Sequence, residues 1–357
     1  MKKLLDNALY IEDIRGVAGL GLPWEKLKDT SVLITGAGGL IGSFLTDVLM
    51  WRNREEGMNC KIYAMGRNAS SAKERFAGYW EDPLFSFIEH DIADRLEREE
   101  NFEYMLHLAS NTHPVAYATT PVSTIRTNVL GADHLLAYAA AHSVRRFLFA
   151  SSNEVYGENR GDAEFFTEEY CGYIDCNTLR AGYPESKRCG EALCQAYRKE
   201  KGVDVVIPRL TRSYGPTLLQ SDTKAMSQFL RKAVSGEDIV LKSKGNQFYS
   251  YTYAADAVSG LLTVLLKGES GEAYNIADEK SDITLKDLAG IIADQCGRKV
   301  VFELPDSTEK AGYSTATKAR LDGGKVKKLG WEMRYDMPAG DDPDSKIFAG
   351  RSMIRVL

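Results

Sequence analysis

Between residues 31 and 207, short apolar runs alternate with longer segments whose apolar residues recur every three to four positions. A short apolar run bounded by glycine or polar residues predicts a buried strand, and the longer period predicts an amphipathic helix. We place strands near residues 31–35, 60–65, 84–89, 103–108, 146–150 and 203–207, and helices near 40–52, 121–142 and 183–201. Strands that alternate with helices are typical of an α/β fold with a parallel, doubly wound sheet.

After Pro216 the pattern becomes mixed. It predicts helices near 224–235, 254–267 and 284–296, and strands near 239–242 and 248–253. This second part predicts a smaller, mixed α/β lobe beside the doubly wound sheet. An amphipathic helix around Leu4–Val17 precedes the first strand, and we expect it to pack against the body of the protein or along a dimer edge.

The composition is that of a soluble globular protein, since 44% of the 357 residues are hydrophobic and 27% are charged. A formal net charge of −5 argues against general binding to nucleic acid or to an anionic membrane surface. No run approaches the ~20 apolar residues that a membrane-spanning helix needs. The six cysteines show no C-x-x-C pair or Cys/His cluster of zinc-like spacing. We therefore predict a cytoplasmic protein with reduced thiols and no metal site, and a Cys171–Cys176 disulfide is the less favoured alternative.

A glycine-rich turn follows the first predicted strand, in the run Gly36-Ala37-Gly38-Gly39-Leu40-Ile41-Gly42, and an apolar-periodic helix comes next. Gly36 allows the tight turn, Gly39 lets the backbone approach a pyrophosphate, and Gly42 permits close packing of the helix on the strand. The free N–H groups of the helix start then face the phosphates. The segment predicts a dinucleotide site of the Rossmann type, with contacts from Gly36, Gly39, Leu40, Ile41 and Gly42. A plain glycine turn before a helix is the alternative for this segment taken alone.

The second predicted strand bears on the choice of cofactor. An acidic residue after this strand would bind the adenosine ribose 2′-hydroxyl and select NAD. Here that place holds Gly66-Arg67-Asn68, and an arginine can pair with a 2′-phosphate instead. Arg67 therefore favours NADP over NAD, while the alternative is that it stacks on the adenine of either cofactor.

Tyr183 and Lys187 lie four residues apart in the run Tyr183-Pro184-Glu185-Ser186-Lys187, at the start of a predicted helix. Residues at this spacing share one face of a helix, and a lysine ammonium beside a phenol favours the phenolate. The pair is therefore a candidate general base for taking a proton from an alcohol. The same spacing occurs by chance on many surface helices, so the pair gains its meaning from the nicotinamide site that precedes it.

A third candidate segment lies between the glycine turn and Tyr183. The strand Phe147–Ala150 ends in the run Ser151-Ser152-Asn153-Glu154-Val155-Tyr156-Gly157. Small hydroxyl residues at the carboxyl end of a parallel strand face the ligand crevice of an open α/β sheet. A plain turn is the alternative for this segment alone, but three such motifs in this order are not expected by chance.

These motifs carry a family resemblance that extends from about Ser31 to about Trp331. The chain resembles the extended short-chain dehydrogenases/reductases that act on nucleotide sugars, namely 4-epimerases, 4,6-dehydratases and UDP-glucuronate decarboxylases. The further matching segments are His107-Leu108-Ala109-Ser110, Asn128-Val129-Leu130-Gly131, Arg209 with Tyr214-Gly215-Pro216, Tyr253-Ala254-Ala255-Asp256-Ala257 and Tyr274-Asn275-Ile276-Ala277. The resemblance implies cofactor contacts from Asp91, Ile92, Ala109 and Asn128. It also implies a homodimer in which helices 121–142 and 183–201 form a four-helix bundle.

The resemblance further implies a division of the chain into parts. We expect an N-terminal extension at 1–30, a mainly NAD(P)-binding Rossmann domain at 31–216, and a mainly nucleotide-sugar-binding lobe at 217–339, with the chain crossing between the two. Residues 340–357 are an atypical tail, because the run Asp341-Asp342-Pro343-Asp344-Ser345 interrupts the final helix that the family usually opens there.

In the resembled family, the phenolate of Tyr183 would take the proton of the sugar 4-hydroxyl while C4 gives a hydride to the nicotinamide. Lys187 would hold the phenol's pKa down and bond the nicotinamide ribose, and Ser152 would orient the same oxygen. Dehydration would next need adjacent Asp and Glu, but Asn153 replaces the Asp, and an amide cannot act as a general acid. Glu154 matches a position at which UDP-glucuronate decarboxylases also carry Glu, so we predict that it is catalytic together with Ser152, Tyr183 and Lys187. A carboxylate that caps a backbone N–H is its structural alternative.

Two departures from the family pattern affect the substrate site. Arg212 stands where the family's R-x-x-N-x-[YF]-G-P has asparagine, and Tyr249 stands where an arginine usually precedes the Tyr-x-x-Asp segment. These changes suggest that one guanidinium has moved from one side of the diphosphate to the other. The predicted substrate-binding residues are Asn153, Arg212, Lys224 and Tyr249, with a solvent-facing role as the alternative for Lys224.

The segment between Ser152 and Tyr183 is an insert that is rich in aromatic residues, namely Phe165, Phe166, Tyr170 and Tyr173. Aromatic rings can stack on sugar faces, and more often they only pack a loop. The insert is therefore a candidate for reshaping the sugar pocket, with loop packing as the alternative.

The residues favour an NAD(P)-dependent enzyme that oxidises a nucleotide sugar at C4. A 4-epimerase comes first, because epimerisation demands least of the altered residues. The alternatives are a UDP-glucuronate decarboxylase, a 4,6-dehydratase, an NADPH-dependent 4-keto-sugar reductase and a non-catalytic dinucleotide-sensing protein. A sensor would tolerate loss of Ser152, Tyr183 or Lys187, and all three are present.

Overall fold

The computed structural model describes residues 4–335 with the exception of residues 113, 220, 304 and 306–316. The predicted tail at 340–357 and the last residues of the predicted second lobe lie outside this part of the chain. Within it, no helix is both long enough and apolar enough to cross a membrane.

A parallel central sheet organises the molecule. Its strands are β1 (Ser31–Thr35), β2 (Lys61–Gly66), β3 (Phe85–Glu89), β4 (Tyr104–His107), β5 (Arg146–Phe149), β6 (Ser151–Ser152), β7 (Val205–Leu210) and β11 (Ala273–Ile276). They lie in the order β3-β2-β1-β4-β5-β7-β11, with β6 paired to β7. All of these pairs are parallel. The doubly wound α/β fold that the sequence predicts is therefore confirmed, and the strand order reverses between β1 and β4.

Helices cover both faces of this sheet. Up to residue 201 the α-helices are α1 (Ala8–Ala18), α2 (Leu40–Glu55), α3 (Ala69–Arg75), α4 (Pro114–Thr119), α5 (Pro121–Ala141) and α6 (Gly182–Lys201). Successive residues of a strand point to opposite faces, so Val32 and Ile34 join one apolar core while Leu33 joins the other. Helices α5 and α6 pack side by side. The short helices α3 and α4 were not predicted from the sequence.

The remaining elements form a smaller lobe. They are β8 (Arg212–Tyr214), α7 (Ala225–Val234), β9 (Ile239–Leu241), β10 (Phe248–Tyr253), α8 (Ala254–Lys267), β12 (Asp282–Thr284), α9 (Leu285–Gln295), β13 (Val300–Phe302), β14 (Lys318–Ala319) and α10 (Gly324–Lys327). Strand β10 pairs with β8 and β14 in parallel and with β12 antiparallel. Helix α8 packs against α2, and β11 lies in the central sheet, so the chain passes from one layer to the other and back.

The N-terminal extension is part of the core. Helix α1 packs against both α2 and α8. The hydroxyl of Tyr10 donates to the buried carboxylate of Asp47, to which Arg75 also pairs at 2.5 Å. One turn further along α1, Asp13 accepts a hydrogen bond from the hydroxyl of Tyr253 at 2.6 Å. The extension therefore joins the central sheet's helices to the start of α8.

Candidate active site

The glycine turn between β1 and α2 is closed so tightly that side chains would not fit. Gly36 has a φ of +67°, and a Cβ built there would lie 2.7 Å from Cα of Ala109. A Cβ at Gly42 would lie 2.4 Å from the carbonyl oxygen of Gly36. Gly39 is the residue before the first turn of α2. The turn thus packs against Leu108 and Ala109, directly after β4. The first N–H groups of α2 have no intrahelical partners.

A cavity of about 650 Å³ opens at the carboxyl ends of the central strands and extends to the smaller lobe. Its lining includes most of the predicted cofactor residues, namely Gly36, Gly39, Leu40, Ile41, Gly42, Arg67, Asp91, Ile92 and Ala109. Asn128 is the exception. It is fully buried behind the lining, where it accepts from Ser110 at 2.7 Å and donates to Ser186 at 2.8 Å. Asn128 therefore acts on the cavity through Ser110, which does line it, and not by direct contact.

The cavity suits a dinucleotide. The helix start at Leu40 presents backbone donors to a pyrophosphate. Gly36 and Gly42, which line the cavity, carry no side chain that would fill the space of the pyrophosphate. At the far end, Arg67 is exposed, and no carboxylate of the described residues lies within ion-pairing distance of it. Asp91 lines the same end, with one oxygen accepting from the backbone of Ala93 at 3.0 Å. These residues would hold the adenosine half of NAD(P).

Ser152 and Tyr183 meet at the inner end of the cavity. Ser152 ends β6, where its hydroxyl accepts from the backbone N–H of Glu154 at 3.2 Å and starts a 3-10 turn. Tyr183 lies in the first turn of α6, and its phenol is close enough to Ser152 for hydrogen bonding to that hydroxyl to affect its pKa. Burial raises the pKa of Tyr183 to about 12, while the Ser152 hydrogen bond and the nearby Arg180 charge oppose this shift.

Lys187 lies one turn further along α6 and also lines the cavity. Its ammonium donates to the carbonyl oxygen of Ala150 at 2.8 Å and stands 4.8 Å from the ring centre of Phe149. Burial lowers the pKa of Lys187 to about 8. We expected Lys187 to lower the pKa of Tyr183, but burial of the phenol outweighs the nearby charges, and Arg180 is the cation that favours the phenolate.

Arg180 was missed by the sequence analysis. It lies in the 3-10 turn Leu179–Ala181 directly before α6, and its guanidinium binds the carboxylate of Glu154 at 2.6 Å. The guanidinium carbon also stands 4.8 Å from the ring centre of Tyr117, which stacks on Tyr183 at 4.9 Å between ring centres. The available signal was an arginine three residues before the tyrosine of the Tyr-x-x-x-Lys motif, so that one helical turn brings both to the same side.

Glu154 lies between two arginines. The second is Arg212, whose guanidinium nitrogen is 3.9 Å from the other carboxylate oxygen of Glu154. Burial disfavours the charged form of Glu154, but Arg180, Arg212 and Lys224 together outweigh it and hold the pKa of this carboxyl below its ordinary value. The carboxylate thus pairs with arginine side chains, and among the described residues no backbone N–H donates to it, unlike in the capping alternative.

The two departures from the family pattern meet in space. Strands β8 and β10 are parallel neighbours, and the guanidinium carbon of Arg212 stands 3.4 Å from the ring centre of Tyr249. Lys224 also lines the cavity, and its ammonium pairs with Asp222 at 3.1 Å. Asn153 is buried and lines the cavity beside Glu154. All four predicted substrate residues therefore line one cavity with Tyr183.

The aromatic residues of the insert pack against one another and do not line the cavity. Phe166 is buried and stacks on Tyr170 at 4.4 Å between ring centres, while Phe165 lies under the guanidinium of Arg320. Tyr173 is exposed. The loop-packing alternative is therefore the correct one for these rings. Cys171 and Cys176, in the same insert, are free thiols.

Comparisons with known proteins agree with the fold and with the motifs. The model of the NAD dependent epimerase/dehydratase family matches residues 32–277. The chain is 30% identical over 310 residues to UDP-glucuronic acid decarboxylase 6 of Arabidopsis thaliana, covering 87% of this chain and 86% of that protein. It is 31% identical over 327 residues to UDP-glucuronic acid decarboxylase 4 of the same plant, covering 91% and 70%.

Solved structures of similar fold include a dTDP-glucose 4,6-dehydratase of Streptomyces venezuelae with NAD bound. It superposes with a TM-score of 0.75 at 25% identity, over 91% of this chain and 96% of that one. A UDP-glucuronic acid 4-epimerase of Bacillus cereus, in complex with UDP-glucuronic acid and NAD, gives a TM-score of 0.75 at 19% identity, over 91% and 99%. At that identity the second likeness bears on the fold alone.

Proposed function

This chain belongs to the NAD dependent epimerase/dehydratase family, and we propose that it oxidises a nucleotide-linked uronic acid at C4 and decarboxylates it. Its relatives place it among enzymes of the extended short-chain dehydrogenase/reductase type that use NAD(P) and nucleotide sugars. The observation that carries the proposal is that Ser152, Tyr183 and Lys187 line the same cavity as the glycine turn.

The first step is removal of a proton from the sugar 4-hydroxyl. When bound, the oxidised nicotinamide supplies the hydride acceptor. Tyr183 takes the proton as phenolate. Ser152, whose hydroxyl lies beside the phenol, orients the same sugar oxygen. Lys187, held by the carbonyl of Ala150, keeps a positive charge near this end of the cavity. The product of this step is a 4-keto sugar.

The neighbours of Tyr183 favour decarboxylation as the next step. In a 4-keto uronic acid, the bond from C5 to the carboxyl carbon breaks, its electron pair enters the C4 enolate, and carbon dioxide leaves. C5 then takes up a proton, and return of the hydride to C4 completes the reaction without net oxidation of the sugar. No acid is needed to expel a hydroxyl. Asn153 cannot donate a proton as an acid, and Glu154 has a lowered pKa that keeps it a carboxylate. The amide at Asn153 counts against dehydration, whereas a carboxylate at Glu154 is compatible with either reaction, and the relatives with about 30% identity are decarboxylases.

A nucleotide-sugar 4-epimerase is the second candidate. Ser152, Tyr183 and Lys187 are sufficient for that reaction, because it needs only C4 oxidation, rotation of the keto sugar and return of the hydride.

We also propose NADP as the preferred cofactor, since Arg67 stands free at the adenosine end. Exposed apolar side chains at Val122, Ile125 and Leu179, on α5 and just before α6, support a homodimer formed through these helices.

Mass spectrometry of the products separates these possibilities. The purified enzyme is incubated with UDP-glucuronate, UDP-glucose and dTDP-glucose, and the expected result is loss of carbon dioxide from UDP-glucuronate alone. An unchanged mass with altered retention would show epimerisation, loss of water would show dehydration, and stoichiometric consumption of NADPH would show a reductase. The Tyr183→Phe variant should bind cofactor normally and lose turnover, and full activity in that variant would contradict the mechanism.

A further inference from the structure

Two guanidinium groups share the wall of the cavity beside Tyr183. The side chains of Arg180 and Arg212 are only 13% and 19% exposed, and both line the cavity. The carboxylate nearest to them is that of Glu154, which lies 2.6 Å from Arg180 and 3.9 Å from Arg212. One carboxylate between two guanidinium groups leaves this wall with a net positive charge.

Several N–H groups of these arginines have no acceptor. Among the described residues, neither Nε nor Nη1 of Arg180 has a hydrogen-bond partner, and Nη1 of Arg212 has none. Charged donors that are taken out of water without an acceptor are costly to a protein. Glu154 uses only part of the hydrogen-bonding capacity of the pair, so the wall is suited to a second anionic group with two oxygens.

Aromatic rings hold both guanidinium planes in place. Arg180 lies over Tyr117 at 4.8 Å and Arg212 lies over Tyr249 at 3.4 Å, measured from the guanidinium carbon to the ring centre. A stacked guanidinium keeps its N–H donors in its own plane, where they form the planar fork that matches a carboxylate. Both forks are therefore pre-organised, and little side-chain freedom remains to be lost on binding.

The position of the pair relates it to one part of the substrate. Tyr117 stacks on Tyr183, so Arg180 lies one ring away from the phenol that takes the proton from the 4-hydroxyl. C5 of the sugar is bonded to C4, and its substituent must lie close to that phenol as well. Lys224 also lines this cavity, and its charge acts on Glu154 as well, but it is paired with Asp222 at 3.1 Å.

We infer that Arg180 and Arg212 together bind the carboxylate that a uronic acid carries on C5, and that they select such substrates over neutral hexoses. The inference rests on the proposed function, because it assumes a sugar held with its 4-hydroxyl at Tyr183. A hydroxymethyl group in place of the carboxylate would bury the same charged donors without an anionic acceptor. Discrimination of at least about tenfold follows from the loss of one charged hydrogen bond.

Calorimetric titration of the cofactor-loaded Tyr183→Phe variant tests this, since that variant does not turn over its ligand. The ligands are UDP-glucuronate, UDP-glucose and UDP, which differ in the carboxylate and in the sugar. We expect UDP-glucuronate to bind at least about tenfold more tightly than UDP-glucose. Adding Arg180→Gln or Arg212→Gln should bring this ratio to within about threefold of unity while changing the affinity for UDP by less than about threefold.

A matched control removes a cation elsewhere. Arg145 is 58% exposed, pairs with Glu103 and does not line the cavity, so Arg145→Gln should leave the ratio unchanged. Equal weakening of all three ligands in Arg212→Gln would show that Arg212 binds the diphosphate, and it would overturn the inference. If either arginine variant fails to fold, the ratio of the two affinities in the Tyr183→Phe variant still tests the inference. Equal binding of UDP-glucuronate and UDP-glucose in that variant contradicts it.

The two proposals fail in different ways. If UDP-glucose binds as tightly as UDP-glucuronate and the enzyme with Tyr183 intact reduces its cofactor with either sugar, C4 oxidation stands and only the carboxylate site is wrong. If no UDP ligand binds at all, the proposed function is wrong, and the carboxylate site is wrong with it.

Discussion

The guanidinium carbon of Arg212 lies 3.4 Å from the ring centre of Tyr249, on the neighbouring strand. In the resembled family an asparagine and an arginine hold these two positions. Of these two positions, the one on β8 therefore carries the guanidinium in this chain, and the one on β10 does not. The two changes are in direct contact, so we expect their effects to be coupled.

A double-mutant cycle tests that coupling. Arg212→Asn alone removes the guanidinium and should lower kcat/KM by about tenfold or more, because charged hydrogen bonds are lost. Arg212→Asn combined with Tyr249→Arg restores a guanidinium from the other strand and should recover activity to within about threefold of the original chain. Steady-state kinetics of the two single variants and the double variant give the coupling energy. Strictly additive losses would show that the two positions act independently.

The pH dependence of activity follows from Tyr183 and Lys187. Burial lowers the pKa of Lys187 to about 8 and raises that of Tyr183 to about 12, so the first proton leaves the pair near pH 8. Once one proton has left, the pair is either a phenolate with an ammonium, which is the active form, or a phenol with a neutral amine. Both forms carry the same number of protons, so the ratio between them does not change with pH. The active form therefore reaches its maximal population above that pH.

We therefore expect kcat/KM to rise with pH up to about 8 and then to level off. Lys187→Met removes the group that titrates first, and its residual activity should keep rising beyond that pH toward the pKa of Tyr183 itself. Initial rates across about pH 6 to 10 provide the profile. A flat profile for the unmodified enzyme would rule out this assignment of the titrating pair.

Gly42 and Gly38 form a matched pair of substitutions in the cofactor turn. A Cβ at Gly42 would lie 2.4 Å from the carbonyl oxygen of Gly36, whereas a Cβ at Gly38 meets no described atom within 4 Å. Gly42→Ala should lower the free energy of unfolding by about 1–3 kcal/mol, because backbone must move, and it should weaken cofactor binding. Gly38→Ala should change stability by less than about 0.5 kcal/mol. Urea unfolding of both variants measures the difference, and equal stabilities would contradict the close approach at Gly42.

The buried carboxylate of Asp47 fastens the N-terminal extension. It is fully buried and binds both Arg75 and Tyr10, so Asp47→Asn leaves a guanidinium without its counter-charge. We expect a loss of about 3 kcal/mol of unfolding free energy. Arg98→Gln breaks an exposed pair with Glu100 and should cost less than about 1 kcal/mol. Thermal and urea unfolding compare the two variants, and a loss for Asp47→Asn no larger than the control's would show that α1 contributes little to the core.

Arg67 should decide the preference between the two dinucleotides. Arg67→Ala removes a donor fork that can pair with a 2′-phosphate, so we expect the affinity for NADP to fall by about tenfold or more and that for NAD to change by less than about threefold. Lys73→Ala removes an exposed cation on α3 that does not line the cavity and serves as the control. Fluorescence titration of the reduced cofactors measures both affinities. Equal losses for the two cofactors would indicate that Arg67 stacks on the adenine instead.

Local sequence patterns were sufficient to predict much of the fold and several residues of the candidate site. The alternation of apolar runs with 3.6-residue periods predicted the doubly wound sheet, because strands and helices each impose their own spacing on the residues that face a core. Gly36, Gly42, Ser152 and Tyr183 were found for a similar reason. Each belongs to a short contiguous motif whose geometry is set by the turn or the helix in which it lies.

Other features depended on residues far apart in the chain. Arg180 was missed because its role depends on Glu154, which lies at the other end of the insert, and on Tyr117 of α4. The pKa of Tyr183 was expected to fall because of Lys187 and instead rises, since burial depends on all the elements that close the cavity. The sequence by itself thus determined the type of fold and located the residues that we propose for the first chemical step, because short motifs encode both. Only the tertiary structure decided the charges around Glu154, because electrostatic and desolvation energies depend on distances and burial that no contiguous segment contains.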